Sequence, residues 1–263
     1  MVFDDMGRGQ TVLLIHGFPL CRRMWQPQVQ SLVDAGCRVV APDLPGFGDS
    51  PSLGPPWTMD LYGDAIIALL DRLGIEQVVA GGMSMGGYIL LNLLDRFPKR
   101  VTAAIFIATR AGIDGPVAKE RRTRLSQEVL EGKSQSVQEA FSGILFAPST
   151  LSSRPELIRE VGRWMTLPPP EGLAAGLIAM RDRPDYTDRL REFKQPSLVI
   201  GGVEDLAMGV DPVRHLVKHL PFAQLCLVPE AGHLVNLERP KEVNARILGF
   251  LAGLRGSVKQ HPD

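Results

Sequence analysis

The sequence predicts an α/β fold with a mostly parallel central sheet flanked by helices. Short runs rich in Val, Ile and Leu alternate along the chain with longer stretches whose apolar residues recur at helical spacing. Strands of a parallel sheet are buried on both faces, so continuous apolar runs of this kind are typical of them. One long segment in the middle of the chain departs from the alternation and predicts an insertion made of helices.

Six apolar runs are predicted to be strands, and a seventh short strand is predicted near Val2–Asp4. The six are, in chain order, Thr11–Ile15, Arg38–Ala41, Gln77–Ala80, Val101–Ile107, Ser197–Ile200 and Ala223–Val228. Their lengths are ordinary for strands of globular proteins.

Two helices have clear end signals. Thr58 can cap a helix because its side-chain oxygen can accept a backbone hydrogen bond, and Gly74 stands where a glycine commonly ends one. A second helix is predicted from Asp211 to Leu220, with Asp211 as the N-cap and Pro212 at the first helical position.

Residues 113–180 are predicted to form a helical cap, inserted into a core domain made of residues 1–112 and 181–263. This segment is charged, rich in proline and lacks a clear strand. Its helices are predicted at Glu120–Leu130, Gln138–Leu145 and Pro155–Met165. Pro168–Pro170 predicts a rigid turn between two cap helices, and Arg255–Asp263 predicts a polar, frayed tail.

Composition narrows the class of function. The 29 basic and 29 acidic residues give a formal net charge of +0, so no overall field favours nucleic acid or an anionic membrane. Three cysteines without a CxxC pair predict neither a disulfide framework nor a zinc site. With no apparent signal peptide or spanning segment, we expect a cytoplasmic protein that acts on a small molecule. The oligomeric state is left open.

A Gly-x-Ser-x-Gly motif occupies residues 82–86, between a predicted strand and a helical run at 87–97. In this strand–turn–helix context the serine is held in a strained conformation that exposes its hydroxyl, and the glycines allow strand and helix to approach. A serine hydroxyl is a weak nucleophile at neutral pH, so it needs a histidine base and a carboxylate that fixes the histidine tautomer. Ser84 is therefore the candidate nucleophile.

Candidates for the base and the acid follow the last two predicted strands. Asp205 lies just beyond one strand and His233 beyond the next, at the edge where open α/β sheets build their sites. Glu204 is the alternative to Asp205. The other four histidines lie in less suitable places, namely His16 in another loop, His215 and His219 on a predicted surface helix, and His261 in the tail.

Four motifs in a fixed order carry a resemblance to a known family. They are HGFP at 16–19, DLPGFGDS at 43–50, GMSMGG at 82–87 and AGH at 231–233. Over nearly its whole length the chain resembles the α/β-hydrolase superfamily. The resemblance implies the α/β-hydrolase fold and a triad of Ser84, Asp205 and His233 in the family's chain order. It also implies an oxyanion hole formed by the backbone N–H groups of Phe18 and Met85.

Two features are less regular. The family commonly begins with a hairpin of two strands, for which too few residues precede Thr11, so one edge strand is expected to be missing. The 43–50 motif and Cys21 are interpreted as structural, and the charged run Lys119–Arg122 as a solvated helix face rather than an anion site.

The candidate substrate-binding residues are aromatic. Trp25, Phe141, Phe146 and Trp164 could line an apolar pocket, and ordinary packing within the cap is the alternative for each.

The predicted activity is cleavage of a small, mainly apolar carboxylic ester or lactone through an acyl-enzyme on Ser84, without a metal or an organic cofactor. The resemblance is greatest to small carboxylesterases, enol-lactonases and cofactor-free perhydrolases, with C–C bond hydrolases more distant. Family members with dehalogenase or epoxide hydrolase activity carry aspartate at the position of Ser84, so those activities are disfavoured. The other class of function left open is a ligand-binding module of the same fold without catalytic activity.

Overall fold

The computed structural model describes residues 1–258, with side chains described as far as residue 255. Within this range one sheet contains the strands β1 Phe3–Gly7, β2 Gln10–Ile15, β3 Cys37–Pro42, β4 Val78–Met83, β5 Val101–Ile107, β6 Ser197–Gly202 and β7 Ala223–Val228. Their spatial order is β1-β3-β2-β4-β5-β6-β7. All neighbours are parallel except β1 and β3, which confirms the predicted fold class.

The α-helices of the same range are α1 Gln26–Asp34, α2 Met59–Arg72, α3 Met85–Arg96, α4 Pro116–Leu130, α5 Gln135–Ser142, α6 Pro148–Ser153, α7 Pro155–Met165, α8 Pro170–Arg181, α9 Asp211–His219, α10 Val235–Glu238 and α11 Pro240–Val258. No helix in residues 1–258 is both long enough and apolar enough to cross a bilayer.

The helices cover both faces of the sheet because its strands are apolar on both sides. In β2, Leu13 and Ile15 pack into one apolar cluster with α2, α3 and α9, whereas Val12 and Leu14 pack into a second cluster with α1 and α11. The side chains alternate because successive residues of a strand point to opposite faces. Full burial of one such side chain contributes about 1.5–3 kcal/mol, so the two clusters supply most of the stabilisation of this core.

The strand registers bring the carboxyl ends of five strands to one edge. Ile15 of β2 pairs with Gly82 of β4, and Met83 of β4 pairs with Ile107 of β5. Beyond β5, Ile107 also pairs with Ile200 of β6, next to which β7 lies parallel. The loops after β2, β4, β5, β6 and β7 therefore leave the sheet side by side.

The predicted ends of α2 are confirmed, whereas the predicted N-cap of α9 is not. The Thr58 hydroxyl oxygen accepts a hydrogen bond from the Leu61 N–H at 3.1 Å, and Gly74 has the positive φ of 65° expected after a helix. The N-cap of α9 is Val210, so the prediction of Asp211 as cap was wrong; Asp211 is the first helical residue.

The predictions for the chain ends have mixed outcomes. The short strand predicted near Val2–Asp4 corresponds to β1, which spans Phe3–Gly7. It pairs with β3 and does not form a hairpin with β2. The tail predicted at 255–263 was wrong for its first part, because α11 continues to Val258. Residues 259–263, including His261, lie outside the described residues.

Five helices, α4 to α8, lie between β5 and β6, where the insertion is predicted. The helix predicted at Glu120–Leu130 begins earlier, at Pro116, because proline suits the first position of a helix. The helix predicted at Gln138–Leu145 spans Gln135–Ser142. Pro168 and Pro169 lie between α7 and α8, where the turn is predicted, and Pro170 is the first residue of α8. The division into cap 113–180 and core stays a prediction.

An ion pair joins the segment before α4 to the segment after α8. The side chain of Asp114, before α4, is fully buried and accepts from Arg183, after α8, at 3.0 Å. Arg183 also donates to the carbonyl oxygen of Gly112, while Arg122 donates to Asp114 at 2.5 Å and Arg110 contacts it as well. Burial raises the pKa of Asp114, but the hydrogen bonds from Arg183 and Arg122 outweigh it and hold the pKa well below its usual range.

Replacement of Asp114 by Asn is expected to lower the free energy of unfolding by about 3 kcal/mol, because it leaves the buried Arg183 without its counter-charge. The pKa of Asp114 is lower in the folded state, so its contribution is complete above the unfolded pKa of about 4 and declines as the pH falls below it. Urea unfolding at pH 7 and pH 3 measures both. The control is Asp95→Asn, whose pair with Arg189 is partly exposed and should contribute under about 1 kcal/mol. An equal loss in the two variants would contradict the expectation.

Candidate active site

The turn between β4 and α3 holds Ser84 in a strained conformation. Ser84 has φ 51° and ψ −112°, outside the usual regions for a residue with a side chain. The turn requires very close backbones, because a Cβ on Gly82 would lie 2.3 Å from the carbonyl oxygen of Gly86. A Cβ on Gly86 would lie 2.2 Å from the carbonyl oxygen of Ile15. Glycines at these two positions are therefore what permits the turn.

Backbone and side-chain hydrogen bonds from the end of β5 fix the same turn. The Ser84 N–H donates to the carbonyl oxygen of Ile107 at 2.9 Å, and the Thr109 hydroxyl donates to the carbonyl oxygen of Ser84 at 2.8 Å. Thr109 fits there because Gly87 has no Cβ, which would lie 2.4 Å from its hydroxyl oxygen. Thr109 was not predicted from the sequence. Its only signal is its position shortly after the carboxyl end of β5, next to the strand that precedes Ser84.

Asp205 and His233 are joined by a buried hydrogen bond. Their Oδ2 and Nδ1 atoms are 2.8 Å apart, and both side chains are buried. The other oxygen of Asp205 accepts from the N–H groups of Ala207 and Met208, each at 2.8 Å. An ionised carboxylate can only accept, so we assign the proton to Nδ1 of His233, which leaves Nε2 free to accept.

The structure places Asp205, and not Glu204, against His233. The loop after β6 is held by hydrogen bonds from the Glu204 N–H to the carbonyl oxygen of Ala231 and from Val203 to Val228. A Cβ on Gly202 would lie 2.1 Å from the carbonyl oxygen of Gly232. This close packing of the two loops brings the next buried side chain, that of Asp205, to the imidazole.

Ser84 and His233 line one cavity of about 270 Å³. Apolar side chains make up much of its wall, namely Phe18, Tyr88, Leu125, Phe141, Ile144, Leu145, Met180 and Met208. The cavity lies between the carboxyl edge of the sheet and the inserted helices. It is at the small end of ligand sites in proteins, which measure about 300–1,000 Å³.

The predicted pocket aromatics are corrected in part. Phe141 lines the cavity, but Trp25, Phe146 and Trp164 do not. These three are buried in the apolar cluster that contains Val12 and Leu14. Their size and apolar character suit a core as well as a pocket, so packing is the interpretation that the structure supports for them.

The two predicted oxyanion donors belong to backbone segments that adjoin Ser84. Met85 is the first residue of α3, so its N–H has no acceptor one turn earlier in the helix. The chain before Phe18 passes beside Ser84, because a Cβ on Gly17 would lie 3.4 Å from the Cβ of Ser84. The side chain of Phe18 also lines the cavity, whereas that of Met85 is fully buried elsewhere.

His16 has a structural place in this region. Its Nε2 accepts from the N–H of Leu44 at 2.9 Å, and its Nδ1 lies 2.9 Å from the carbonyl oxygen of Gly17. Burial lowers the pKa of His16, which keeps the ring neutral and suits one donor and one acceptor nitrogen. The ring therefore holds the loop before Phe18 against the loop after β3.

Three arginines line the cavity, which the sequence did not indicate. Arg110 follows β5, and Arg121 and Arg122 lie on α4. The interpretation of 119–122 as a solvated face was wrong for Arg122, which is half-buried and hydrogen-bonded to Asp114. The charged sequence at 119–122 does not by itself indicate which side of α4 packs against the rest of the protein.

The family model of the alpha/beta hydrolase fold matches residues 10–240. The chain belongs to the α/β-hydrolase family. Hydrolases of small molecules are among its members, such as the 2-hydroxy-6-oxo-6-phenylhexa-2,4-dienoate hydrolase of Burkholderia cepacia, which is 29% identical over 95% of this chain and 90% of the relative. In the part of the chain that the structure describes, no group of three or more His, Cys, Asp or Glu side chains could hold a metal ion.

Three relatives illustrate the range of this hydrolase family. A thermophilic esterase from Thermogutta terrifontis, in a malate-bound structure, is 36% identical, with a TM-score of 0.93 over 96% of this chain and 93% of the other. The 3-oxoadipate enol-lactonase 2 of Acinetobacter baylyi is 31% identical over 221 residues, 84% of this chain and 80% of the relative. The dihydrolipoyllysine-residue acetyltransferase component of the acetoin cleaving system of Pseudomonas putida is 33% identical over 265 residues. That match covers 95% of this chain but only 65% of the relative.

A buried carboxylate ties the His233 loop to the inserted helices. Glu238 is 2% exposed, and its two oxygens accept from the N–H of Gly232 at 2.9 Å and from the N–H of Ala147 at 2.8 Å. The Leu234 N–H donates to the carbonyl oxygen of Leu145 at 3.0 Å. Sequence reasoning missed Glu238, because an acidic residue near a helix end ordinarily faces solvent.

Replacement of Glu238 by Ala is expected to leave two buried N–H groups without an acceptor, at a cost of about 1–3 kcal/mol each. Amide hydrogen exchange at Gly232 and Ala147 should therefore become faster, and the free energy of unfolding should fall. Exchange measured by NMR checks this. Glu242→Ala, at an exposed position on α11, is the control and should leave both amides as protected as in the original chain.

Proposed function

We propose that this α/β-hydrolase cleaves a small carboxylic ester or lactone through an acyl-enzyme on Ser84. The observation that carries the proposal is the arrangement of one cavity. Its wall holds a serine on a strained turn together with a histidine whose Nδ1 is bound to a buried carboxylate. A hydroxyl, a base with a fixed tautomer and nearby backbone donors are the groups that acyl transfer needs.

In the proposed reaction, Nε2 of His233 takes the proton of the Ser84 hydroxyl as its oxygen attacks the carbonyl carbon. The negative charge that forms on the carbonyl oxygen is stabilised by the N–H groups of Phe18 and Met85, each donor contributing about 3 kcal/mol. His233 then gives its proton to the leaving alcohol, and the acyl group stays on Ser84. Water, activated by His233, releases the acid and restores the serine.

Asp205 orients the base in this mechanism. Two backbone N–H groups fix one carboxylate oxygen, so the other oxygen is directed at Nδ1 of His233. The carboxylate holds Nε2 as the acceptor and stabilises the imidazolium that forms when the proton moves.

Of the two substrates named in the proposal, the lactone is favoured by one relative, the enol-lactonase of Acinetobacter baylyi. The chemistry at Ser84 is the same for an ester and a lactone. The difference is that the leaving oxygen of a lactone stays attached to the acyl group, so a single product is released after deacylation.

Replacement of Ser84 by Ala is expected to reduce kcat for p-nitrophenyl acetate or butyrate by a factor on the order of 10⁴–10⁶, because no hydroxyl remains to form the acyl-enzyme. Steady-state kinetics with stopped assays measures the loss. Circular dichroism and the thermal midpoint verify that the variant folds. Hydrolysis at the original rate by a pure, folded Ser84→Ala protein would refute the assignment.

Replacement of Asp205 by Asn is expected to reduce kcat by about 10³–10⁴-fold, because an amide permits the tautomer with the proton on Nε2. The matched control is Glu204→Gln, one residue earlier in the same loop, which should retain kcat. The reverse order of effects would transfer the orienting role to Glu204.

A further inference from the structure

The cavity that holds Ser84 and His233 has an excess of positive charge. Three guanidinium groups line it, those of Arg110, Arg121 and Arg122, against one carboxylate, that of Asp114. This excess contrasts with the whole chain, whose formal charges cancel. The local field of the cavity therefore favours a negatively charged ligand.

Asp114 cannot neutralise this excess, because its charge is already shared. Arg183, which is 2% exposed and outside the cavity wall, donates to both of its oxygens at 3.0 Å. The Nε of Arg122 also donates a hydrogen bond to Oδ2 of Asp114 at 2.5 Å. One buried carboxylate thus faces several guanidinium groups, and the arginines of the cavity retain net positive charge.

Of the three cavity arginines, Arg110 is linked to the nucleophile through the residue that precedes it. It directly follows Thr109, whose hydroxyl is hydrogen-bonded to the carbonyl oxygen of Ser84. One terminal nitrogen of Arg110 contacts Asp114, but its Nε is buried and has no acceptor within residues 1–258. A buried donor of this kind costs free energy unless a ligand or solvent oxygen accepts from it.

Arg121 contributes positive charge from α4. Arg121 is exposed to solvent, and one terminal nitrogen of its guanidinium group donates to the carbonyl oxygen of Ala140 at 3.1 Å. No acidic side chain in the described part of the chain forms an ion pair with it. Its other guanidinium donors therefore remain available to a ligand.

We infer that this cavity binds the free carboxylate of an acidic ester, namely the half-ester of a short dicarboxylic acid. The inference rests on the proposed function and names its substrate class. Guanidinium groups bind carboxylates through paired, charge-assisted hydrogen bonds. The apolar side chains of Phe18, Leu125 and Phe141 pack against the methylene chain between the two ends, and a cavity of about 270 Å³ fits a short one. This departs from the mainly apolar substrate that the sequence predicted.

The test compares two substrates of nearly equal shape, monomethyl glutarate and its neutral amide analogue, methyl 5-amino-5-oxopentanoate. The original chain is expected to favour the acid by about tenfold or more in kcat/KM, the effect of one charge-assisted hydrogen bond. Arg121→Gln should reduce this preference by a similar factor. Arg121 is the residue chosen because it is not bonded to Asp114, so its replacement leaves the buried ion pairs intact.

Arg124→Gln is the matched control, since Arg124 lies on the same helix, pairs with Glu128 and does not line the cavity. It removes the same charge and should keep the preference for the acid. An original chain that cleaves the amide analogue as well as the acid would overturn the inference. Equal effects of Arg121→Gln and Arg124→Gln would overturn it as well.

A binding experiment separates this inference from the proposed function. Glutarate titrated into Ser84→Ala by calorimetry should bind, and its affinity should fall about tenfold when Arg121→Gln is added to that variant. If neither methyl ester is cleaved but glutarate binds in this way, the proposed function fails and the carboxylate site stands. If esters are cleaved and glutarate does not bind, the carboxylate site fails alone.

Discussion

The site depends on the contact of three backbone segments at the turn around Ser84. The segments that contain Ile15, Gly82 and Gly86 approach to distances at which no Cβ fits. This contact sets the start of α3 directly beside the end of β2, so a serine, a helix N-terminus and the following loop of β2 meet at one point. A methyl group at either glycine would separate these parts, and the strained geometry of Ser84 would have no support.

A second close contact places the acid beside the base. Gly202 at the end of β6 lies against the backbone of the loop after β7, where its missing Cβ makes room for Ala231 and Gly232. The parallel pairing of Gly202 with Val228 brings the two loops out of the sheet at the same level. Chain order and sheet topology thus explain why Asp205 meets His233, although 28 positions separate them.

Much of this arrangement could be predicted from the sequence, because it follows from local patterns. Apolar runs predicted the strands, Thr58 and Gly74 predicted the ends of α2, and the motif at 82–86 indicated the turn. The lining of the cavity could not be predicted in this way. Trp25 and Phe141 are both large and apolar, and only the packing of distant segments around each of them decides which one lines the cavity. The same holds for Arg121 and Arg122, whose neighbours come from distant segments.

The hydrogen bonds of Glu238 have a consequence for how this fold diversifies. The carboxylate of Glu238 accepts hydrogen bonds both from the loop that carries His233 and from the residue before α6. The position of His233 therefore depends on the position of these helices. Helices placed here from another protein would need a backbone N–H where Ala147 has one and a carbonyl oxygen where Leu145 has one. Exchange of these helices for others is therefore constrained by the backbone groups of Ala147 and Leu145, in addition to the residues that line the cavity.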